Sequence, residues 1–346
     1  MSSENSPEIP NFTFSLSNQK ERKLKYGWAK EASVNDFPES KNLAGVLMNL
    51  KPGGLRELHW HTNAAEWGYV ISGNVRTTII DPEGNYEENE FSEGDIWYFP
   101  RGHGHSIQGL SPYGTTFMLV FDNGAFSEFA TFSITDWLAS TPKEILAKNL
   151  KVDINDLKNL PDKEVYIVHA DEYHKEKKLN SPPLTHKYSL LSRQPFRDCP
   201  EGKLWLVSSK EFPISQTMTG GIMTLKPGGL RELHWHPNAD EWIYLISGKA
   251  RMTEFASGGI SAVADLNEGD VGYTPMGYGH SIENTGDTEC KMLIVFNSGI
   301  YEEISLSGWL ASNPEILIAG NLNLPLETVK QFSKKNLFIT GNDDGK

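Results

Sequence analysis

The sequence predicts an all-β protein: two tandem antiparallel barrels of jelly-roll type, each followed by short helices. Three observations lead there. First, one module is written twice. Residues 51–73 read KPGGLRELHWHTNAAEWGYVISG and residues 226–248 read KPGGLRELHWHPNADEWIYLISG, so only four of 23 positions differ. Second, the same offset of 175 residues carries Gly94-Asp95 onto Gly269-Asp270, Pro100 onto Pro275, Gly102 onto Gly277 and His105 onto His280. Third, short apolar or alternating runs (GVLMNL, EWGYVISG, VRTTIID, DIWYFP, TFMLVF) are divided by turn signals (KPGG, SGN, DPEG, SEGD, PRGHG). Strands at that spacing close into barrels or jelly rolls, and two copies are too few for a solenoid.

Taken in order, residues 1–40 read as an N-terminal arm and 41–168 as the first barrel. The charged, proline-containing stretch 169–187 reads as a linker, and 188–346 as the second barrel. The segments WLASTPKEILAKNL (137–150) and WLASNPEILIAGNL (309–322) carry a Ser/Thr/Asn-Pro start and an apolar stripe, the pattern of a helix after each barrel. A chain of 346 residues with 38% hydrophobic and 11% aromatic residues can build two real cores. Lys+Arg 32 against Asp+Glu 45 leaves a charge of −13, which argues against nucleic acid as a partner. No apolar run is long enough to span a membrane and no leader pattern opens the chain, so a cytoplasmic protein is expected. Cys199 and Cys290 match no metal spacing and read as inert thiols.

Six of the ten histidines form two matched sets. His59 and His61 alternate on a strand and share a face, with Trp60 on the other. Glu66 follows a short turn later, and His105 lies on a later strand of the same module. The second copy repeats the set as His234, His236, Glu241 and His280. Three imidazoles and one carboxylate suit a divalent transition ion, manganese or iron(II) in preference to zinc, whose closed sites favour the cysteines missing here. Four protein ligands leave two octahedral positions open for substrate, dioxygen or water.

GGLRELHWHTNAAEW followed by GDIWYFPRGHGH resembles the two-part cupin signature, and two copies make a bicupin. RELHWH in both halves, with FSEFATF and TDWLASTPKE after the first, resembles the oxalate decarboxylase family from about Phe14 to Trp309. The resemblance implies a double-stranded β-helix barrel per half and Mn2+ in both sites. It also implies oxalate as substrate with dioxygen as catalytic cofactor, and a homo-oligomer, trimer or hexamer. Tryptophans matching Trp97 and Trp235 would stack near a subunit contact, although by composition they, like Trp60, read as barrel packing. His103 reads as a turn histidine that could also support His105.

Arg56 stands three residues before His59, and Arg231 before His234. Odd spacing puts Arg56 on the opposite face of an ideal strand, pairing with Glu57 outside the barrel, unless a bulge or bend intervenes. The resemblance implies that Arg56 binds the substrate's carboxylate. The copies differ in length at one place: VFDNGAFSEFATFSITDW (120–137) against VFNSGIYEEISLSGW (295–309), three residues shorter. The longer loop reads as a mobile lid, and the resemblance makes its Glu128 the proton-transfer group. Phe129-Ala130-Thr131 depart from the bacterial Asn-Ser-Thr, which keeps an oxalate oxidase, releasing peroxide, as the alternative. Glu302 and Glu303 lie in a loop short enough to miss the second metal, and Ile294 stands where some relatives carry a glutamate, so catalysis is assigned to the first site. A non-enzymatic storage or sugar-binding bicupin is the third reading, and the six retained histidines weigh against it.

Overall fold

Strands form where alternating β-branched and aromatic residues meet a buried face, and they stop at glycines that accept a positive φ. The computed structural model describes residues 9–172 and 185–341. Most of the expected linker, 173–184, lies outside the described residues. Two compact units result. One comprises Gln19–Asp36 and Leu43–Ser189; the other comprises residues 9–18, Phe37–Asn42 and the chain from Leu190 onward.

The stretch 1–40 is therefore shared out. Gly27–Ala32 pairs with Ala44–Leu50 in the N-terminal unit, whereas Thr13–Ser15 pairs with Asp270–Thr274 in the C-terminal unit. The end of the expected linker is also a strand, Lys187–Ser189, on the edge of Asp95–Phe99.

In the N-terminal unit one face runs Gly27–Ala32, Ala44–Leu50, Thr115–Phe121, Glu66–Ile80 and Asp95–Phe99. The other face runs Phe132–Ser133, Gly54–Trp60, Gly104–Gly109, the far half of Glu66–Ile80 and Tyr86–Ser92. All of these pairings are antiparallel, as a jelly roll requires. The SGN signal does not end a strand as its composition suggests. Gly73, at φ 79°, instead bends one continuous strand from the first face into the second. A Cβ there would sit 2.0 Å from the Gly114 carbonyl oxygen, so only glycine fits the corner. The second copy breaks at the matching Gly248 into Glu241–Ser247 and Lys249–Ala256.

Each barrel has its own core. Val46, Met48, Val70, Ile107, Phe117 and Leu119 fill the first; Met223, Ile243, Leu245, Met252, Met292 and Ile294 fill the second. Burying one such side chain contributes about 1.5–3 kcal/mol. The cores differ by a reciprocal exchange of volume. Gly68 is the cross-strand neighbour of Trp97 in the first barrel, and Ile243 that of Gly272 at the same places in the second. A Cβ on Gly68 would strike the Trp97 ring at 2.1 Å, so the indole enters because its partner is glycine.

Each expected helical stretch becomes two short helices, divided by its proline: Ile134–Ala139 and Lys143–Leu150, then Leu306–Ala311 and Glu315–Leu322. Pro142 and Pro314 stand at the start of the second helix of each pair, because their rings fit an N-terminus and not a helix interior. Ser133 and Ser305 cap the first helices. Both serines lie on two-residue strands paired with His59 and His234, which ties each helix to a histidine-bearing strand. No helix among the described residues is long and apolar enough to cross a membrane.

Candidate metal centres

Strand alternation turns His59 into the barrel and leaves Trp60 half-exposed. His61 follows at the strand's end, Glu66 opens the long strand Glu66–Ile80, and His105 arrives on Gly104–Gly109, directly opposite His59. The ligand atoms of His59, His61, Glu66 and His105 lie within 4.8 Å of one another, all buried. His234, His236, Glu241 and His280 repeat the arrangement. The structure brings together, as two sets of four, the eight residues expected from the sequence.

Backbone carbonyls orient two of the three rings of the first cluster. His59 Nδ1 lies 2.6 Å from the Glu57 oxygen and His105 Nδ1 lies 2.9 Å from that of His103. A carbonyl can only accept, so the ring proton sits on Nδ1 and the Nε2 lone pair faces the cluster. His103 thus contributes through its backbone, while its own ring remains in the turn. Burial, with help from the Arg56 charge and the neighbouring rings, holds the pKa of His59 well below the ordinary histidine range. Burial alone would raise Glu66, but His105 and His61 hold it below the usual carboxylate range. Neutral imidazoles around an ionised carboxylate fit a divalent transition ion.

The first centre has one partner that the second lacks. Trp97 Nε1 donates to Glu66 Oε1 at 2.7 Å, whereas Gly272 occupies the matching place beside Glu241. Trp97 is therefore an interior residue that orients a candidate ligand, correcting its expected place near a subunit contact. Trp60 is the counterpart of Trp235. Their rings lie against Trp137 and Trp309 at 5.6 and 5.5 Å.

Arg56 also faces inward. The pairing of Gly54–Trp60 with Gly104–Gly109 slips between Arg56 and His59, a bulge that puts both side chains on the buried face; Arg231 and His234 show the same slip. Glu57 is not its partner. That carboxylate instead accepts from the backbone of Tyr166 and from Thr135. Arg56 stacks over the Tyr166 ring at 4.4 Å and donates through Nε to Glu128 Oε1 and through Nη2 to Thr131 Oγ1, each at 2.6 Å. Both members of the pair are fully buried. Arg56 Nη1 and Glu128 Oε2 are left without partners.

The longer loop packs down onto Arg56 and the first cluster in this structure. Glu128–Ala130 form a single helical turn, and Phe126 stacks on Phe121 at 3.5 Å and meets the His61 ring edge-on. Glu31 holds the turn: its Oε2 accepts from the Glu128 amide at 2.6 Å and from Ser127 Oγ at 3.3 Å. The second copy has Leu206 at the place of Glu31. Neither Glu31 nor Tyr166 is marked as a site residue by a motif in the sequence. The signal for Glu31 was an acidic residue in one copy of the repeat facing an apolar one in the other.

In the second copy, Glu303 of the shorter loop meets an arginine. Arg231 Nη2 donates to Glu303, whose Oε2 also accepts from Tyr301 at 2.6 Å. Arg231 Nη1 donates to the Phe338 carbonyl at 3.1 Å. Neither residue leaves a buried polar atom without a partner, unlike Arg56 and Glu128.

Comparison with known proteins extends these observations. Residues 14–158 and 189–330 each match the Cupin family. The chain is 44% identical over 333 residues to the oxalate decarboxylase OxdC of Bacillus subtilis, covering 94% of this chain and 86% of that protein. It is 36% identical over 338 residues to a probable oxalate decarboxylase of Arthroderma benhamiae, covering 96% of this chain and 83% of that one. A solved structure of the Bacillus subtilis oxalate decarboxylase, from work on its Mn(II) centres, superposes with a TM-score of 0.93 at 42% identity. That match covers 98% of this chain and 90% of the other.

Proposed function

The chain belongs to the cupin family and, within it, to the bicupin oxalate decarboxylases, and on that premise we propose that it converts oxalate to formate and CO2 at its N-terminal centre. The observation that carries the assignment is the unpaired donor and acceptor on Arg56 and Glu128, in a sealed site beside the first histidine cluster. At the second cluster the corresponding pair is saturated by Tyr301 and Phe338. His59, His61, Glu66 and His105 would hold Mn2+ at site 1, and His234, His236, Glu241 and His280 a second Mn2+. Bound Mn2+, with dioxygen, supplies the reversible one-electron chemistry that weakens the carbon–carbon bond.

The protein's own part follows from its hydrogen bonds. Arg56 Nη1 donates to the distal carboxylate of the substrate, and stacking on Tyr166 keeps the guanidinium plane in place. Glu128 accepts the proton of hydrogen oxalate through its free Oε2 and returns it to carbon as the C–C bond breaks. One hydrogen oxalate thus yields one CO2 and one formate with no net oxidant. Closure of the lid keeps water from the reacting carbon while the proton is in transit.

An assay with oxalate, Mn2+ and dioxygen, quantifying formate against peroxide, tests the proposal. One formate per oxalate is the expected result. Peroxide in its place would make the protein an oxidase, and neither product would leave a binding protein.

A further inference from the structure

The two barrels diverge on the face of the fourth histidine. In the first, Phe99 lies against the His105 ring at 4.7 Å, and Ile79 is the cross-strand partner of His105. Both are buried in the apolar core. In the second, the offset of 175 residues replaces Phe99 by Thr274 and Ile79 by Glu254, and Glu254 is the cross-strand partner of His280. A sealed apolar plug has become polar. Glu254 and Thr274 are each 2% exposed, and neither carboxylate oxygen of Glu254 nor the Thr274 hydroxyl has a hydrogen-bond partner. A buried carboxylate without a partner is costly, so its presence points to something that completes it.

Glu254 lines a cavity of about 210 Å³ that lies wholly within the C-terminal unit. Its walls join an acidic side, Asp240 and Glu254, to an apolar side formed by Ile9, Phe12 and the Tyr278 ring. The charges do not cancel. Lys41 is engaged with Glu39 at 3.6 Å, while Asp240 is fixed by hydrogen bonds from Asn42, Tyr273 and the Met276 amide. The carboxylates of the cavity do not converge as ligands: among the described residues, the only groups close enough to hold a metal ion are the two histidine clusters. A carboxylate beside an apolar and aromatic wall, in a space of this size, suits a small organic cation that donates several hydrogen bonds.

We propose that this cavity binds a small primary ammonium ion, with Glu254 as its counter-ion and Phe12 and Tyr278 against its alkyl part. The N-terminal barrel has no equivalent site, because Phe99 and Ile79 fill the space.

Calorimetric titration of the manganese-loaded enzyme with n-propylammonium, beside its neutral isostere n-butane, or n-propanol where solubility requires it, tests the proposal. Saturable binding of the cation alone is expected. Glu254→Gln and Glu254→Ile, the latter restoring the residue of the first copy, should weaken binding at least about tenfold, as for a lost charged hydrogen bond. Formate output and manganese content should be unchanged. No saturable binding by the wild type, or equal binding by both variants, would overturn the proposal. So would loss of the second manganese in Glu254→Gln, which would make Glu254 part of the metal centre.

Discussion

Arg56 shows how much depends on one strand irregularity. On an ideal strand its side chain would leave the barrel; the slip in pairing before His59 brings it onto the same buried face. There the guanidinium has three claims on it: Glu128, Thr131 and the Tyr166 ring. Tyr166 takes φ 62°, a conformation that costs a non-glycine residue energy, and the Glu57 carboxylate anchors its amide at 2.7 Å. Phe338 and Glu232 repeat the device beneath Arg231. Lysine cannot reproduce a forked, stacked guanidinium. Arg56→Lys is therefore expected to raise KM for oxalate about tenfold or more, the equivalent of a charged hydrogen bond worth about 1.5–3 kcal/mol, with a smaller change in kcat. Steady-state kinetics on folded, manganese-loaded protein decide it, and an unchanged KM would remove Arg56 from substrate binding.

The loop over the first cluster is three residues longer than its counterpart, and its length was readable by comparing the repeats. What holds it was not. Glu31 and Glu128 are 97 residues apart, and no local pattern links a strand glutamate to a distant amide. Burial raises the Glu31 pKa above the ordinary carboxylate range, partly offset by the Glu128 amide it accepts from. Glu31→Ala removes the acceptor of a 2.6 Å bond, and about 1.5–3 kcal/mol would lower the closed-to-open ratio roughly ten- to a hundredfold. The expected result is less formate and more peroxide per oxalate, with Glu31→Gln between Glu31→Ala and wild type. An unchanged product ratio in Glu31→Ala would show that the latch is not what closes the lid. The Gly68–Trp97 and Ile243–Gly272 exchange was equally hidden, because each half looks like an isolated core substitution until the strands are paired.

At the scale of the molecule, the duplication made barrels, turns and both histidine clusters legible, since a constant offset identifies residues that share a role. The arm and linker were less so: strand pairing at a barrel edge, as by Thr13–Ser15 and Lys187–Ser189, leaves little mark in three residues. One such edge supplies a pH dependence. Burial alone would raise Glu87, but hydrogen bonds from His186 and Asn89 bring its carboxyl down to about 2. A depressed carboxylate stabilises the fold above its ordinary pKa of 4.5 and loses that contribution as pH falls toward 2. Glu87→Gln should lower Tm at neutral pH and converge on wild type near the acid limit; parallel melting curves across the range would refute this. The −13 charge does not bar an anionic substrate, because charges on the surface are screened over about 8 Å at physiological salt. On the proposed reading, capture would rest on the metal held by the first cluster and on Arg56. The central claim is that chemistry occurs at the first centre through Glu128, and formate production by Glu128→Gln and Glu303→Gln, assayed side by side with manganese content, tests it most directly. The account predicts that Glu128→Gln keeps its manganese but loses about a hundredfold or more of its activity, the usual worth of a proton-transfer group, while Glu303→Gln stays near wild type. Undiminished formate from Glu128→Gln, or an equal loss from Glu303→Gln, would contradict it.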